Sequence, residues 1–301
     1  MASARRHVAV ISGWLLLCLL SASSAFGGTV FNLESCNLGP IGDWSVGPPP
    51  GPPPGCDGWY TPQGQNTAPG TVHAYSSFPP IVAVDPAGGN NVLVLTGDVS
   101  GDTQIYDRAQ HNFTFSSAAA WTFTDDLSVV NLNSSGNSYG TNYIGGFSVL
   151  AAAFNSAQAA FIVDYAWDDS SASSTWSPIF WVSDANGDDL AAVSLGSAWP
   201  GFSQNHWYNE TTVFDLNSNR ILLVSITDLT TNQTYTDSPT GWYMAGGAAG
   251  PTSEPNAFRF SGLGRNNGFL VDNVGLDPVP EPATLFLMGT GFIALLVFRR
   301  R

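Results

Sequence analysis

Short runs of β-branched and aromatic residues, each closed by Gly, Asn, Asp, Ser or Pro, recur along this 301-residue chain, and helical periodicity is nearly absent. The runs fall at 72–75, 81–84, 92–96, 113–115, 121–124, 143–150, 160–167, 179–183, 190–195, 211–216, 221–228, 258–261 and 269–276. Strands roughly 8 to 15 residues apart with turn residues between them are the pattern of a β-sandwich or barrel. In Trp121-Thr122-Phe123-Thr124 and in Phe258-Arg259-Phe260-Ser261 the aromatic residues share one face and the polar residues the other. A strand half-buried against a core alternates in this way. The expectation is an all-β body, an antiparallel jelly-roll-like β-sandwich. Only the Ala-rich stretch 150–160 has the composition of a helical turn.

Two pairings are legible. Asp184-Ala185-Asn186-Gly187-Asp188-Asp189 joins two apolar runs. Asn-Gly tolerates positive φ at both positions and marks a hairpin, so 179–183 and 190–195 are expected to pair antiparallel. The opening strand, 30–34, is expected beside the last, 269–276.

Both ends have a different chemistry from the body. Arg5, Arg6 and His7 precede an apolar stretch at 8–20 and a small, mostly polar segment at 21–27. That order defines a secretory signal peptide, cleaved after Ala25 or after Gly27. At the other end Val279, Pro280, Glu281, Pro282, Ala283 and Thr284 lead into apolar 285–298 and then Arg299, Arg300 and Arg301. The prolines keep Glu281 extended and out of any helix, which suits binding in the cleft of a processing enzyme. The apolar run, counted from Ala283, makes a helix of roughly 24 Å, short of the ~30 Å hydrocarbon core unless the arginines snorkel. Basic residues at both ends belong to the cytoplasmic side and leave everything between them outside. The chain thus divides into a signal peptide (1–27), an exported domain (28–278) and a tail (279–301).

The Val-Pro-Glu-Pro-Ala-Thr string, an apolar helix bearing Gly289 and Gly291, and the terminal arginines together resemble the PEP-CTERM sorting signal. The resemblance covers 279–301 and is silent on 28–278. It implies export in a bacterium that makes extracellular polysaccharide. It also implies initial anchoring by a C-terminal transmembrane helix with its end cytoplasmic, and processing near the motif by an exosortase-type membrane transpeptidase. At the level of architecture alone, the body resembles the jelly-roll sandwiches of lectin-like and carbohydrate-binding modules.

Charge narrows the partners. There is no lysine, and between the two terminal signals 22 acidic residues face only Arg108, Arg220, Arg259 and Arg265, a balance near −18. Such a surface repels nucleic acid and acidic polysaccharide. It stays dispersed and admits divalent cations. Cys36 and Cys56 enclose a proline tract. In an exported protein the pair is expected to form a disulfide, with a loop-closure contribution of roughly 3 kcal/mol.

The candidate sites each have a plainer alternative. Asp184, Asn186 and Asp188 alternate like the start of a calcium loop, but Leu195 occupies the twelfth position, where a bidentate Glu is needed, and turn chemistry also explains them. A structural calcium is therefore a weak candidate, and no motif requires a cofactor. Trp59, Trp167, Trp176, Trp199 and Trp242 are flanked by loop-type residues. Of these, Trp167 and Trp176 border Asp168 and Asp169 and a Ser-rich stretch, a composition suited to stacking on sugar rings. The alternative is that they are core. Only Glu34, Glu210 and Glu254 remain in the body, and His73, His111 and His206 are scattered, so no catalytic set is named. The sequence therefore supports a non-catalytic exported surface or matrix protein associated with exopolysaccharide. A glycan-binding module, and then a polysaccharide hydrolase or lyase, stand as alternatives.

Overall fold

The computed structural model describes residues 29–31, 33, 36, 39–41, 58–62, 67–69, 71–74, 91–95, 98–100, 103–113, 120–131, 143–151, 160–169, 175–194, 199–250, 256–262 and 267–279. The signal segment, Cys56, the expected strand at 81–84, most of the Ala-rich stretch, and everything from Pro280 through Arg299, Arg300 and Arg301 lie outside those residues.

The strands, in chain order, are β1 (Thr29–Phe31), β2 (Gly39–Pro40), β3 (Thr67–Pro69), β4 (Thr71–Ala74), β5 (Asn91–Leu95), β6 (Asp98–Ser100), β7 (Thr103–Asn112), β8 (Ala120–Asn131) and β9 (Tyr143–Ala151). They continue with β10 (Ala160–Asp169), β11 (Thr175–Ser183), β12 (Asp189–Ser194), β13 (Phe202–Ser203), β14 (Tyr208–Asp215), β15 (Arg220–Asp228), β16 (Gln233–Asp237), β17 (Ala257–Gly262) and β18 (Asn267–Val279). One sheet runs β16-β15-β14-β8-β18-β5-β4-β2, with β1 also on β18. The other runs β12-β11-β10-β9-β17-β7-β3, with β13 on β11 and β6 on β7. Apart from the parallel β3–β7 pair, the described ladders are antiparallel.

The two sheets meet face to face, as alternation demands. In β8, Trp121, Phe123, Leu127 and Val129 are buried while Thr122 and Thr124 are half-buried. Phe123 stacks on Phe147 of the opposite sheet with ring centroids 3.7 Å apart. Phe147 and Phe260 pack at 5.4 Å, and Phe260 reaches back to Phe269 of the first sheet at 6.5 Å. Close aromatic packing of this kind adds to simple area burial. Gly145 is required here: a Cβ on it would lie 2.2 Å from the Phe269 ring and 2.6 Å from the Ser261 carbonyl.

Both expected pairings are present. β11 and β12 form a hairpin, with Ser183 opposite Asp189. β1 lies on β18, with Thr29 opposite Leu276. The hairpin turn differs in detail from a two-residue Asn-Gly loop: of Asn186 and Gly187, only Gly187 has positive φ, at 88°. Residues 184–188 form the connection, because Asp184 rather than the Asn-Gly pair organises it. Phe113, expected in a strand, lies just beyond β7 and donates its amide to the Asn256 carbonyl. β7 and β16 were not anticipated. β7 carries Asp107 and Arg108 in mid-strand, and β16 is a polar edge strand.

Candidate functional site

Three kinds of site follow from the sequence, and the structure treats each differently. Trp176 opens β11 opposite Phe202. It is 0% exposed, packed 5.0 Å from the Phe202 ring and edge-on to Tyr208 at 5.3 Å. This corrects its expected role as a sugar platform: the preceding loop composition suggested exposure, but Phe202 of the neighbouring strand β13 and Tyr208 of β14 pack against the ring. Trp59 is likewise 0% exposed and Trp242 is buried, while Trp199 is half-buried against Phe202 and Tyr235. Trp167 sits in β10 at the register position opposite Pro178 and Gly145.

The Asp184 turn is satisfied from within. The Asp184 carboxylate accepts the Asn186 amide at 2.7 Å and the Asp188 amide at 3.0 Å through Oδ1, and the Asn186 side-chain amide at 3.2 Å through Oδ2. These donors hold its carboxyl below the usual carboxylate range against the opposing effect of desolvation. The turn then docks on Gly247, whose φ is 62° and where a Cβ would come within 2.8 Å of the Asp184 and Ala185 carbonyls. Asn219 holds that docking loop, donating its amide to the carbonyls of Met244 (3.1 Å), Ala245 (3.1 Å) and Gly247 (2.6 Å). Among the described residues, no three His, Cys, Asp or Glu side chains are grouped to hold a metal ion.

Cys36 is 6% exposed within the core cluster. Its expected partner, Cys56, lies outside the described residues. The sorting segment is described only at its first residue: Val279 is the last residue of β18 and pairs with Ala120.

Sequence reasoning missed two polar groupings. On the outer side of the second sheet, Arg259 is 1% exposed and donates to Gln110 Oε1 through Nε at 2.9 Å and Nη2 at 2.6 Å. Gln110 in turn donates to the Tyr60 hydroxyl at 2.5 Å, and that hydroxyl donates to Asn112 Oδ1 at 2.7 Å. The Phe-Arg-Phe alternation put Arg259 on the solvent phase, and only the fold shows it to be covered. In the first sheet, Asp125 of β8 lies opposite Glu210 of β14. Here a signal was available: Asp125 falls on the core phase of the Trp121–Val129 alternation.

A third feature is exposed. On the outer face of β14, β15 and β16, Ser225 bonds Thr236 and Thr227 bonds Thr234, each at 3.0 Å. The rows continue through Thr211 to Thr124 and through Asn209 to Asp126. Hydroxyl and amide groups are thus presented at the inter-strand spacing of about 4.8 Å.

No curated protein sequence matches the chain. Among solved structures it is similar to the globular domain of T. cruzi calreticulin (8% identity, 79% of this chain and 89% of that one, TM-score 0.42). It is also similar to an alginate lyase from Pseudomonas aeruginosa (10%, 73% and 97%, TM-score 0.40) and to peanut lectin (14%, 69% and 97%, TM-score 0.36). Residues 278–301 match the family model of the PEP-CTERM protein-sorting motif. A motif of that kind implies an exported protein, held in the membrane until an exosortase, itself a membrane protein, processes it.

Proposed function

We propose that this chain is a non-catalytic surface or matrix protein, exported behind a cleaved signal peptide. Its β body is retained or released by processing at the tail and associates with the exopolysaccharide of its producer. The observation that carries this reading is the sorting motif itself, which begins where β18 ends. Intact-mass analysis of protein from the native host is the test. Loss of the first 25 to 27 residues and of everything beyond the Pro-Glu-Pro motif is the expected outcome. Mature protein that still carries Arg301 would replace the sorting signal by a plain membrane anchor.

A second reading, a glycan-binding module, is favoured by the hydroxyl rows of β14, β15 and β16. A neutral, hydroxyl-rich polymer suits a face that offers donors and acceptors on an acidic body. Binding there survives added salt, since no charge pairing drives it. Pull-down with the producer's polysaccharide tests it, and loss of binding in Thr227→Val with Thr234→Val locates the face. A hydrolase or lyase gives a different readout in the same assay, the release of new chain ends.

A further inference from the structure

Asp125 lies between Phe123 and Leu127 on the inward face of β8, and all three are 0% exposed. Its register partner is Glu210 of β14, 3% exposed. Directly opposed residues on one face have Cβ atoms about 4.5–5.5 Å apart, so two carboxyl groups stand side by side inside the sandwich. Among the described residues, neither carboxyl oxygen of Asp125 has a hydrogen-bond partner.

Among the described residues, the surroundings supply no relief. On the β18 side the ladder is interrupted between Asp272 and Gly275, and the inward residue there is Val274, 0% exposed. Glu210 faces a gap lined by Pro178 and Phe180 of β11, Thr212 of β14 and Val224, Ser225 and Ile226 of β15. None of these carries a charge, and the gap leaves no room for a water molecule. On the outer side of the same strands stand two more acids. Asp126 accepts the side-chain amides of Asn209 and Asn273 at 2.9 and 2.7 Å, and Asp272 accepts the Asn273 backbone amide at 2.8 Å. The charged groups acting on Asp125 are thus Glu210 and Asp126, both acids.

An ionised carboxylate in this position has lost its water and gained no donor, which strongly disfavours the charged form. We propose that Asp125 keeps its proton in the folded protein at neutral pH, and that its ionisation as pH rises loosens the β8–β14 seam.

Burial, then Glu210, then Asp126 push the Asp125 carboxyl well above its ordinary range. The folded chain therefore binds a proton that the unfolded chain gives up near pH ~3.9. The associated stability is complete below that pH and is lost as pH rises through the folded value. Asp184 and Asp228 are shifted the other way, so their contributions change below about pH 4. Histidine side chains also titrate between pH 5 and 8, so the difference between wild type and an Asp125 variant, not the interval alone, isolates Asp125.

Urea unfolding of the full-length chain at pH 5 and pH 8, with wild type and Asp125→Asn, tests this. Asn has the shape of Asp and cannot ionise. Relative to Asp125→Asn, the folding constant of wild type falls by up to about tenfold per pH unit until the folded value is passed. A wild type and a variant that share one slope between pH 5 and pH 8 overturn the proposal. Should Asp125→Asn not fold, infrared titration of the wild type decides. A protonated carboxyl persisting at pH 7 and lost at higher pH supports the proposal; complete ionisation at pH 7 refutes it.

Discussion

Replacing Trp176 separates a core residue from a ligand platform. The indole is 0% exposed and touches Phe202 and Tyr208. Truncation to Ala removes that packing and leaves a cavity, at a cost of about 3–5 kcal/mol, a large share of the 5–15 kcal/mol that holds a typical domain together. The Phe variant is more telling. Trp176 Nε1 is buried without a hydrogen-bond partner. Trp→Phe forfeits roughly 2 kcal/mol of apolar burial, but it also removes an unsatisfied donor whose burial costs about 1–3 kcal/mol. The two changes nearly cancel. The assay is urea unfolding followed by tryptophan fluorescence and far-ultraviolet circular dichroism. For a body of about 250 residues, with a slope near 3 kcal/mol/M, Trp176→Ala moves the midpoint down by roughly 1–2 M. Trp176→Phe moves it by no more than a few tenths. An Ala variant with an unmoved midpoint and selectively lost glycan binding would falsify the packing argument and restore the platform.

Three further outcomes follow from single contacts. Non-reducing peptide mapping of native-source protein is expected to recover Cys36 and Cys56 in one linked peptide, and two alkylated thiols would refute the pairing. Asp228 accepts the amides of Thr230 at 2.7 Å and Thr231 at 3.2 Å and lies 3.1 Å from His206 Nδ1. Desolvation opposes the charged form, but these hydrogen bonds and the nearby His206 outweigh it and depress the Asp228 carboxyl. Its stabilisation is present above the unfolded value and is lost as pH falls through the folded one, and Asp228→Asn should flatten the acid limb of a stability profile. Asn219→Ala removes the three amide–carbonyl bonds and places Ala at φ 53°. A loss of about 2–3 kcal/mol is expected, with faster hydrogen exchange at Ala248, whose amide donates to the Ala185 carbonyl.

What the sequence disclosed was what alternation and turn chemistry encode locally. The β11–β12 hairpin was legible because Asn186-Gly187 interrupts two apolar runs, and β8 because Trp121 and Phe123 alternate with threonines. β7 was not, since Asp107 and Arg108 break its pattern and their accommodation depends on neighbours far along the chain. Trp176 had a loop-flanked signature, yet it is buried, packed on Phe202 of β13, a neighbouring strand 26 residues away. The Asp125–Glu210 juxtaposition depends on the β8–β14 register, a pairing across 85 positions that no local pattern reports. The buried Arg259 depends likewise on Gln110 of a strand 149 positions distant.

The strand that ends at the sorting motif also determines how the body bears load. β18 lies inside its sheet, with eleven register pairs to β8 along its length, three to β5 and three to β1. Its last residue, Val279, is followed directly in the sequence by Pro280. Tension on the tail therefore acts along the axis of β18, while its inter-strand hydrogen bonds lie across that axis. Such a ladder is loaded in shear, and its bonds resist together rather than opening one at a time from an end. Resistance to forced unfolding is set by the unfolding rate, so a body tethered through β18 withstands drag better than one tethered through the edge strand β16, where the same force would unzip the sheet pair by pair.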